Sequence, residues 1–139
     1  MRISTKFSVA VHALLLVATE KDPCTSSLIA GSVNTNPVVI RRIMSLLQNA
    51  NLVSGSQGKS GYLLQKSPET ITLLAIYHAV SEEESLQLFN IHDNPNIECE
   101  VGASIQMLLE VIMNEAQSAM ETVLKAVTLE HLIKKIPSS

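Results

Sequence analysis

A chain of 139 residues, 46% apolar and only 3% aromatic, suffices for one core or for a small domain plus an oligomerisation element, and the composition is that of a mainly helical globular protein. No run of about 18 consecutive apolar residues occurs, and the opening MRISTKFSVAVHALLLVATE lacks a small-residue cleavage site, so no membrane span or secretory leader is expected and the location is read as cytoplasmic. The formal charge of −3 argues against a nucleic-acid partner only until it is divided: residues 1–66 carry seven cations and two acids, +5, and residues 67–139 three cations and eleven acids, −8.

Residues 4–20 read as a first helix, with Ser4 or Thr5 as cap and Phe7, Ala10, Val11, Leu14, Val17 and Ala18 at helical spacing. Lys6 falls in its first turn, where a cation and free N–H groups together can hold one phosphate. A solvated lysine explains it equally well, and His12 is a packed or partly exposed histidine rather than a ligand. Residues 21–25 connect this helix to the next, Pro23 prevents the first helix from continuing, and Cys24 is left as a loop thiol with no activating neighbour.

Residues 26–66 organise the rest. Ser26 and Ser27 offer oxygens to the free N–H groups of a short helix through Leu28, Ile29 and Ala30, which Gly31 to Asn36 break. Asn36 before Pro37 is a restart signal, because asparagine caps and proline's fixed φ suits the first helical position. The helix from Pro37 to Asn49 places Ile40, Ile43, Met44 and Leu47 on one face and Val38, Arg41, Arg42, Ser45 and Gln48 on the other, and Asn51 ends it. Two adjacent arginines without acids suit a helix that enters a groove lined by phosphates. Residues 52–56 and 60–66 flank Gln57-Gly58-Lys59 as a hairpin whose tip carries Lys59 and Ser60, a cation and a hydroxyl fit for phosphate oxygens. Helix, turn, helix and ribbon make a winged helix-turn-helix, and the expected partner is DNA.

After a turn at residues 67–70, Thr72 caps a helix from Leu73 to Val80 with Leu73, Ile76, Tyr77 and Val80 as its stripe. Residues 81–85 form a solvated acidic break, and residues 89–102, with Pro95 and no periodicity, a loop. From about Val101 to Val127 the apolar stripe returns through Ile105, Leu108, Ile112, Ala116, Ala119 and Val123, widened by Leu109, Met113, Met120 and Leu124. That face is broader than a small winged domain can cover, so residues 101–127 are expected to make a homodimer. Thr128 caps a last short helix through Leu129, Leu132, Ile133 and Ile136, ended by Pro137. Two recognition helices related by a two-fold axis read a palindrome with half-sites about one helical turn apart.

The opening RISTKFSVAVHALLLVA, the segment LIAGSVNTNPVVIRRIMSLLQNANLV, the wing SGSQGKSGYLL and the following PETITLLAIYHAVS together resemble the Rrf-two (Rrf2) family of bacterial regulators over nearly the whole chain. That family includes the iron–sulfur cluster regulator, the nitric-oxide-sensing repressor and the cysteine-metabolism repressor. The resemblance implies a mainly α fold, a winged helix-turn-helix domain with a two-stranded wing plus a long C-terminal dimerisation helix. On this sequence it divides the chain into a DNA-binding domain at 1–80, an acidic linker and sensor loop at 81–100, and a dimerisation helix with a short final helix at 101–139. The resemblance also implies a repressor that binds an inverted repeat as a homodimer. Val38, Val39, Arg41 and Arg42 would stand at the base-facing start of the recognition helix and Lys59 and Ser60 at the wing tip. Lys6, Ser26, Ser27, Asn36 and Ser45 complete the expected DNA-binding set. An arginine on guanine would supply about 1–3 kcal/mol of discrimination.

The chain departs from the cluster-binding branch, whose members carry three closely spaced cysteines before the long helix; here that loop holds only Cys99, so neither a cluster nor any other cofactor is expected. His92, Asp93, Glu98 and Cys99 lack the spacing of a metal site. Cys99 remains a candidate redox sensor, weakened because Glu98 and Glu100 are expected to raise its thiol pKa. A small-molecule effector, if one is sensed, is expected between the winged domain and the long helix near Tyr77, Phe89 and Met107. The competing class is a winged helix that binds another protein as an adaptor. An enzyme is not expected, since no nucleophile–base pair, phosphate-cradling glycine loop or metal cluster is present and His12, His78, His92 and His131 share no motif.

Overall fold

The computed structural model describes residues 2–55, 61–81 and 92–137. Helix α1 (Ile3–Thr19) opens one residue before the expected start: Arg2 is its cap and makes no side-chain bond, so Ser4 and Thr5 lie inside the first turn. Val9, Ala10, Ala13, Leu14 and Val17 form its buried face. Helix α2 (Ser26–Val33) is longer than the sequence suggests. Its cap is Thr25, whose Oγ1 accepts the Leu28 N–H at 3.1 Å, and neither Ser26 nor Ser27 fills that role. It continues through Gly31 to Asn34, which turns out of the helix at φ 67°. Burial of Ile29 and Ala30 outweighs the roughly 1 kcal/mol that a mid-helix glycine costs.

Helix α3 (Pro37–Asn49) has the bounds expected, with Asn36 Oδ1 accepting the Val39 N–H at 3.0 Å and Asn51 leaving the helix at φ 61°. Ile40, Ile43, Met44 and Leu47 are all buried. The wing is narrower than expected: β1 (Val53–Gly55) and β2 (Tyr62–Leu64) pair antiparallel with Val53 opposite Leu64 and Gly55 opposite Tyr62. Cys24, read as a loop thiol, is buried and pairs with the wing. Its carbonyl accepts the Tyr62 N–H at 2.8 Å and its own N–H reaches the Tyr62 carbonyl at 3.3 Å. Gly61 makes that approach possible, since it sits at φ 125° and a Cβ there would lie 2.8 Å from the Pro23 backbone.

Helix α4 (Leu73–Val80) starts as expected on Thr72, whose Oγ1 accepts the Ala75 N–H at 3.1 Å. It packs against α1, α3 and the long helix α5 (Glu100–Lys125). Ser81, grouped by sequence with the solvated acidic break, is fully buried, and its hydroxyl donates to the Tyr77 carbonyl. The remainder of that break, Glu82 to Ser85, lies outside the described residues, as do Phe89 and the wing tip with Lys59 and Ser60.

Helix α5 has 26 residues and buries none of them, leaving Val101, Met107, Leu108, Val111, Ile112 and Val123 exposed. Its C-terminal end is nevertheless anchored. The Leu73 N–H donates to the Val127 carbonyl and the Leu129 N–H to the Ile71 carbonyl, each at 2.9 Å. Helix α6 (Leu129–Ile133) then docks on α1 with Leu129 in the core. Thr128 Oγ1 accepts the His131 N–H while His131 Nδ1 accepts the Thr128 N–H at 3.1 Å, closing a capping box.

Two glycines separate strain from space. Gly61→Ala is expected to lower stability by about 2–3 kcal/mol, because both its φ and its contact with Pro23 reject a Cβ. Gly31→Ala, with nothing within 4 Å of the new methyl, is expected to raise it by about 0.5–1 kcal/mol. Thermal unfolding followed by circular dichroism at 222 nm distinguishes the two, and equal shifts of the same sign would contradict the geometry.

Candidate nucleic-acid interface

Locking Ile40, Ile43, Met44 and Leu47 into the core turns the opposite face of α3 outward. Val38, Arg41, Arg42 and Ser45 are all exposed on it, and Gln48 extends the face toward the wing, where its Nε2 would meet a Cβ built on Gly55 at 3.4 Å. The helix contains no acid. Val39 is not part of that face: it is half-buried and packs against the core, so the adjacent valines at the head of the helix do different work. Asn36 is exposed, with its Oδ1 engaged in capping. That leaves its amide N–H groups to face outward partners.

The remaining expected residues are spread over two other elements. Lys6 is half-buried in the first part of α1, Ser27 is exposed and Ser26 half-buried at the start of α2. His12 ties those two helices, with Nε2 2.8 Å from Ser32 Oγ. Sequence reasoning missed Thr25 as the cap that fixes where α2 begins, although a third hydroxyl just before Ser26-Ser27 was its signal. It also missed the Cys24–Tyr62 bridge, for which no local pattern exists.

An apolar groove of about 640 Å³ lies on the outer side of α1, lined by Phe7, Val11, Leu15, Leu16, Leu73 and Ile136 with Ser8, His12 and Thr19 among them. It lies apart from the region near Tyr77, Phe89 and Met107 expected for an effector, of which Phe89 lies outside the described residues. Tyr77 is buried edge to face on Phe7, ring centroids 6.1 Å apart, with its hydroxyl unpaired among the described residues, and Met107 is exposed on α5.

The two thiols have opposite surroundings. Burial first, and then the charge of Glu20, push the Cys24 pKa up. Cys99 is fully exposed at the head of α5 and its pKa is lowered, the reverse of what the flanking Glu98 and Glu100 suggested. The cause is the free backbone N–H groups of Gly102, then Val101, which favour the thiolate, although the sulfur makes no cap hydrogen bond of the kind Thr25 or Thr72 makes. Gly102 allows this close turn, since a Cβ there would collide with the Asn96 carbonyl. Among the described residues no three of His, Cys, Asp or Glu converge to hold a metal ion. With Cys24 buried against the wing and Cys99 alone in its loop, these side chains do not fit an iron–sulfur cluster.

A family model described as Rrf2, iron-dependent transcriptional regulator, matches residues 3–135. The chain is 40% identical over 134 residues to YwnA of Bacillus subtilis (strain 168), which is assigned as an HTH-type transcriptional regulator; the match covers 96% of this chain and 98% of that one. A crystal structure described as that of an assigned DNA-binding protein superposes with a TM-score of 0.74 at 36% identity, covering 92% of this chain and 98% of its own. CymR, described as the global cysteine regulator of B. subtilis, superposes with a TM-score of 0.69 over 99% of both chains at 23% identity, a likeness that speaks for the fold alone. No helix among the described residues is long and apolar enough to cross a membrane.

The thiol contrast is open to direct measurement. In native protein treated with iodoacetamide across a pH series, Cys99 should be alkylated with a half-maximal rate at a lower pH than a free cysteine shows. Cys24 should react only once the protein is unfolded. Mass spectrometry of the digested protein reads both, and a Cys99 profile at or above that of free cysteine would refute the assigned surroundings.

Proposed function

The chain belongs to the Rrf2 family of transcriptional regulators, and from that premise we propose that it binds an inverted-repeat operator as a homodimer and represses transcription by occupying it. The observation that carries this is the outward face of α3, where Val38, Arg41, Arg42 and Ser45 stand exposed on a helix that itself contains no acidic residue and whose other side is fixed in the core. Arginines there can reach guanine edges or phosphates, and Asn36, Ser27 and Lys6 offer further donors for the backbone. Lys59 and Ser60 would extend the contact from the wing.

The dimer rests on α5. A helix of 26 residues with no buried side chain and six large apolar ones exposed is costly in water, and a second copy of the same helix covers it at no further design. In this proposal residues 1–80 read DNA, residues 81–100 connect, residues 101–139 pair the subunits, and the protein works in the cytoplasm. The segregated charge fits: a positive half toward DNA, a negative half away from it.

A second input is favoured by one observation, the exposed Cys99 with its lowered pKa at the head of α5. Its thiolate can take one oxygen from a peroxide, the O–O bond breaking as the S–O bond forms, to become a sulfenic acid while the other oxygen leaves as hydroxide. Peroxide would then change operator affinity in the parent protein and leave a Cys99→Ser variant unaffected; equal responses would remove the sensor role.

Selection from a random duplex pool at near-physiological salt should enrich an inverted repeat with the parent protein and none with the Arg41→Ala, Arg42→Ala double variant. Affinity for that repeat should fall steeply with salt, with a log–log slope of about −0.9 per neutralised phosphate. A Leu108→Glu, Ile112→Glu variant should sediment as a monomer and lose about 10²-fold or more in affinity for the full repeat. A folded dimer that enriches nothing at any salt would favour the protein-adaptor function instead.

A further inference from the structure

We propose that Val38 reads the 5-methyl group of a thymine, so that each half-site contains a thymine within about two base pairs of the guanine contacted by Arg41 or Arg42. This deepens the operator-binding proposal above and rests on it. Val38 is 65% exposed at the second position of α3, just after Pro37. A lone exposed valine elsewhere on a protein surface needs no explanation. This one occupies the first turn of the helix, the part that meets base edges in a helix-turn-helix, and every exposed neighbour on its face is a hydrogen-bonding residue: Arg41, Arg42, Ser45 and Gln48.

The chemistry of the groove decides what such a side chain can recognise. Along the major-groove edges of the four base pairs only position 5 of the pyrimidines is neither donor nor acceptor, and there cytosine carries a bare C–H while thymine carries a methyl group that projects into the groove. Two valine methyl groups pressed onto a cytosine amino group, a guanine O6 or an adenine N7 would strip water from it and return no hydrogen bond, which selects against those bases. Pressed onto a thymine methyl they bury apolar surface on both sides. Valine is also β-branched, and in a helix it holds one χ1 rotamer, so little freedom is lost on contact. Arg41 and Arg42 lie three and four residues further on, on the same surface as Val38. That spacing is roughly 4.5–6 Å along the helix, which sets the guanine one or two base-pair steps away.

Val39 offers the internal contrast. It is the same residue type one position later, but it is half-buried and packs against the core, off the face that carries Val38 and the arginines. The structure therefore assigns thymine recognition to Val38 and not to the valine pair.

The test uses the full chain and the operator found by selection, with each thymine replaced in turn by deoxyuridine, a change that removes the methyl group and nothing else. At one position per half-site the parent protein should lose about three- to fivefold in affinity, and about tenfold to twentyfold when both half-sites are changed, as expected for a buried methyl group. Val38→Ala should bind the thymine and deoxyuridine operators equally, and a Val39→Ala variant should keep the parent's discrimination. Circular dichroism of Val38→Ala should match the parent, since alanine at an exposed helical position removes no core contact. Discrimination that survives in Val38→Ala, or an operator in which no thymine methyl matters, would overturn the assignment while leaving operator binding intact. Loss of all sequence selection in the parent protein would overturn the assignment together with the proposal on which it rests.

Discussion

The burial of one face of α3 is the constraint on which the rest of this molecule depends. Ile40, Ile43, Met44 and Leu47 meet Leu14 of α1, Ile29 of α2 and Ile76 of α4 in a single core, and the four are exposed by 2% or less. Removing any of them would cost about 2–5 kcal/mol and, more to the point, loosen the helix about its axis. A rotation of one residue's worth, roughly 100°, would carry Arg41 away from its present direction. The capping of α3 by Asn36 and the departure of the chain at Asn51 fix the same helix along its length. Direction and register together are what allow a short outward face to carry sequence information.

The wing is held by a second, independent device. A two-stranded ribbon is marginal alone. Here the Cys24–Tyr62 bridge adds a third extended segment, drawn from the loop before α2, and Gly61 gives the room for it. The wing root is tied to both ends of the helix-turn-helix: to the loop ahead of α2 through Tyr62, and to the end of α3 through the Leu52 N–H, which donates to the Leu47 carbonyl at 3.0 Å. Burial of the Cys24 thiol follows from that role, and its raised pKa keeps it inert.

Much of this was legible in the sequence, and what was not has physical reasons. Helices α3, α4 and α6 begin where Asn36, Thr72 and Thr128 announce them, because in each a capping side chain directly precedes an apolar period. Helix α2 was misplaced because Thr25, Ser26 and Ser27 compete for one cap and because Gly31, a breaker by propensity, sits in a helix stabilised by its buried neighbours. Val39 joined the expected DNA-binding set through the family resemblance, whereas the helical period placed only Val38 on the outward face, and Val39 packs half-buried against the core. Cys99 was misjudged for a related reason. Its flanking carboxylates are exposed and screened by water, whereas the N–H groups of Gly102 and Val101 become its neighbours only when α5 forms.

Helix α4 links the two functions proposed for the chain. It packs against α3 on one side and α5 on the other, and His78 Nε2 reaches Glu121 Oε1 across the second contact at 3.5 Å. The far end of α5 is pinned to the same region by the bonds of Leu73 and Leu129 to Val127 and Ile71. The contacts run in series from the helix headed by Cys99 to the reading face: α5 packs on α4, and α4 on α3. In a dimer paired through α5, the same series sets the distance between two reading faces. Because half-sites are spaced by the helical repeat of DNA, a displacement of a few ångströms along it would misalign one face whenever the other is seated. Regulation of such a protein needs no change in the chemistry of α3, only in where α4 and α5 hold it.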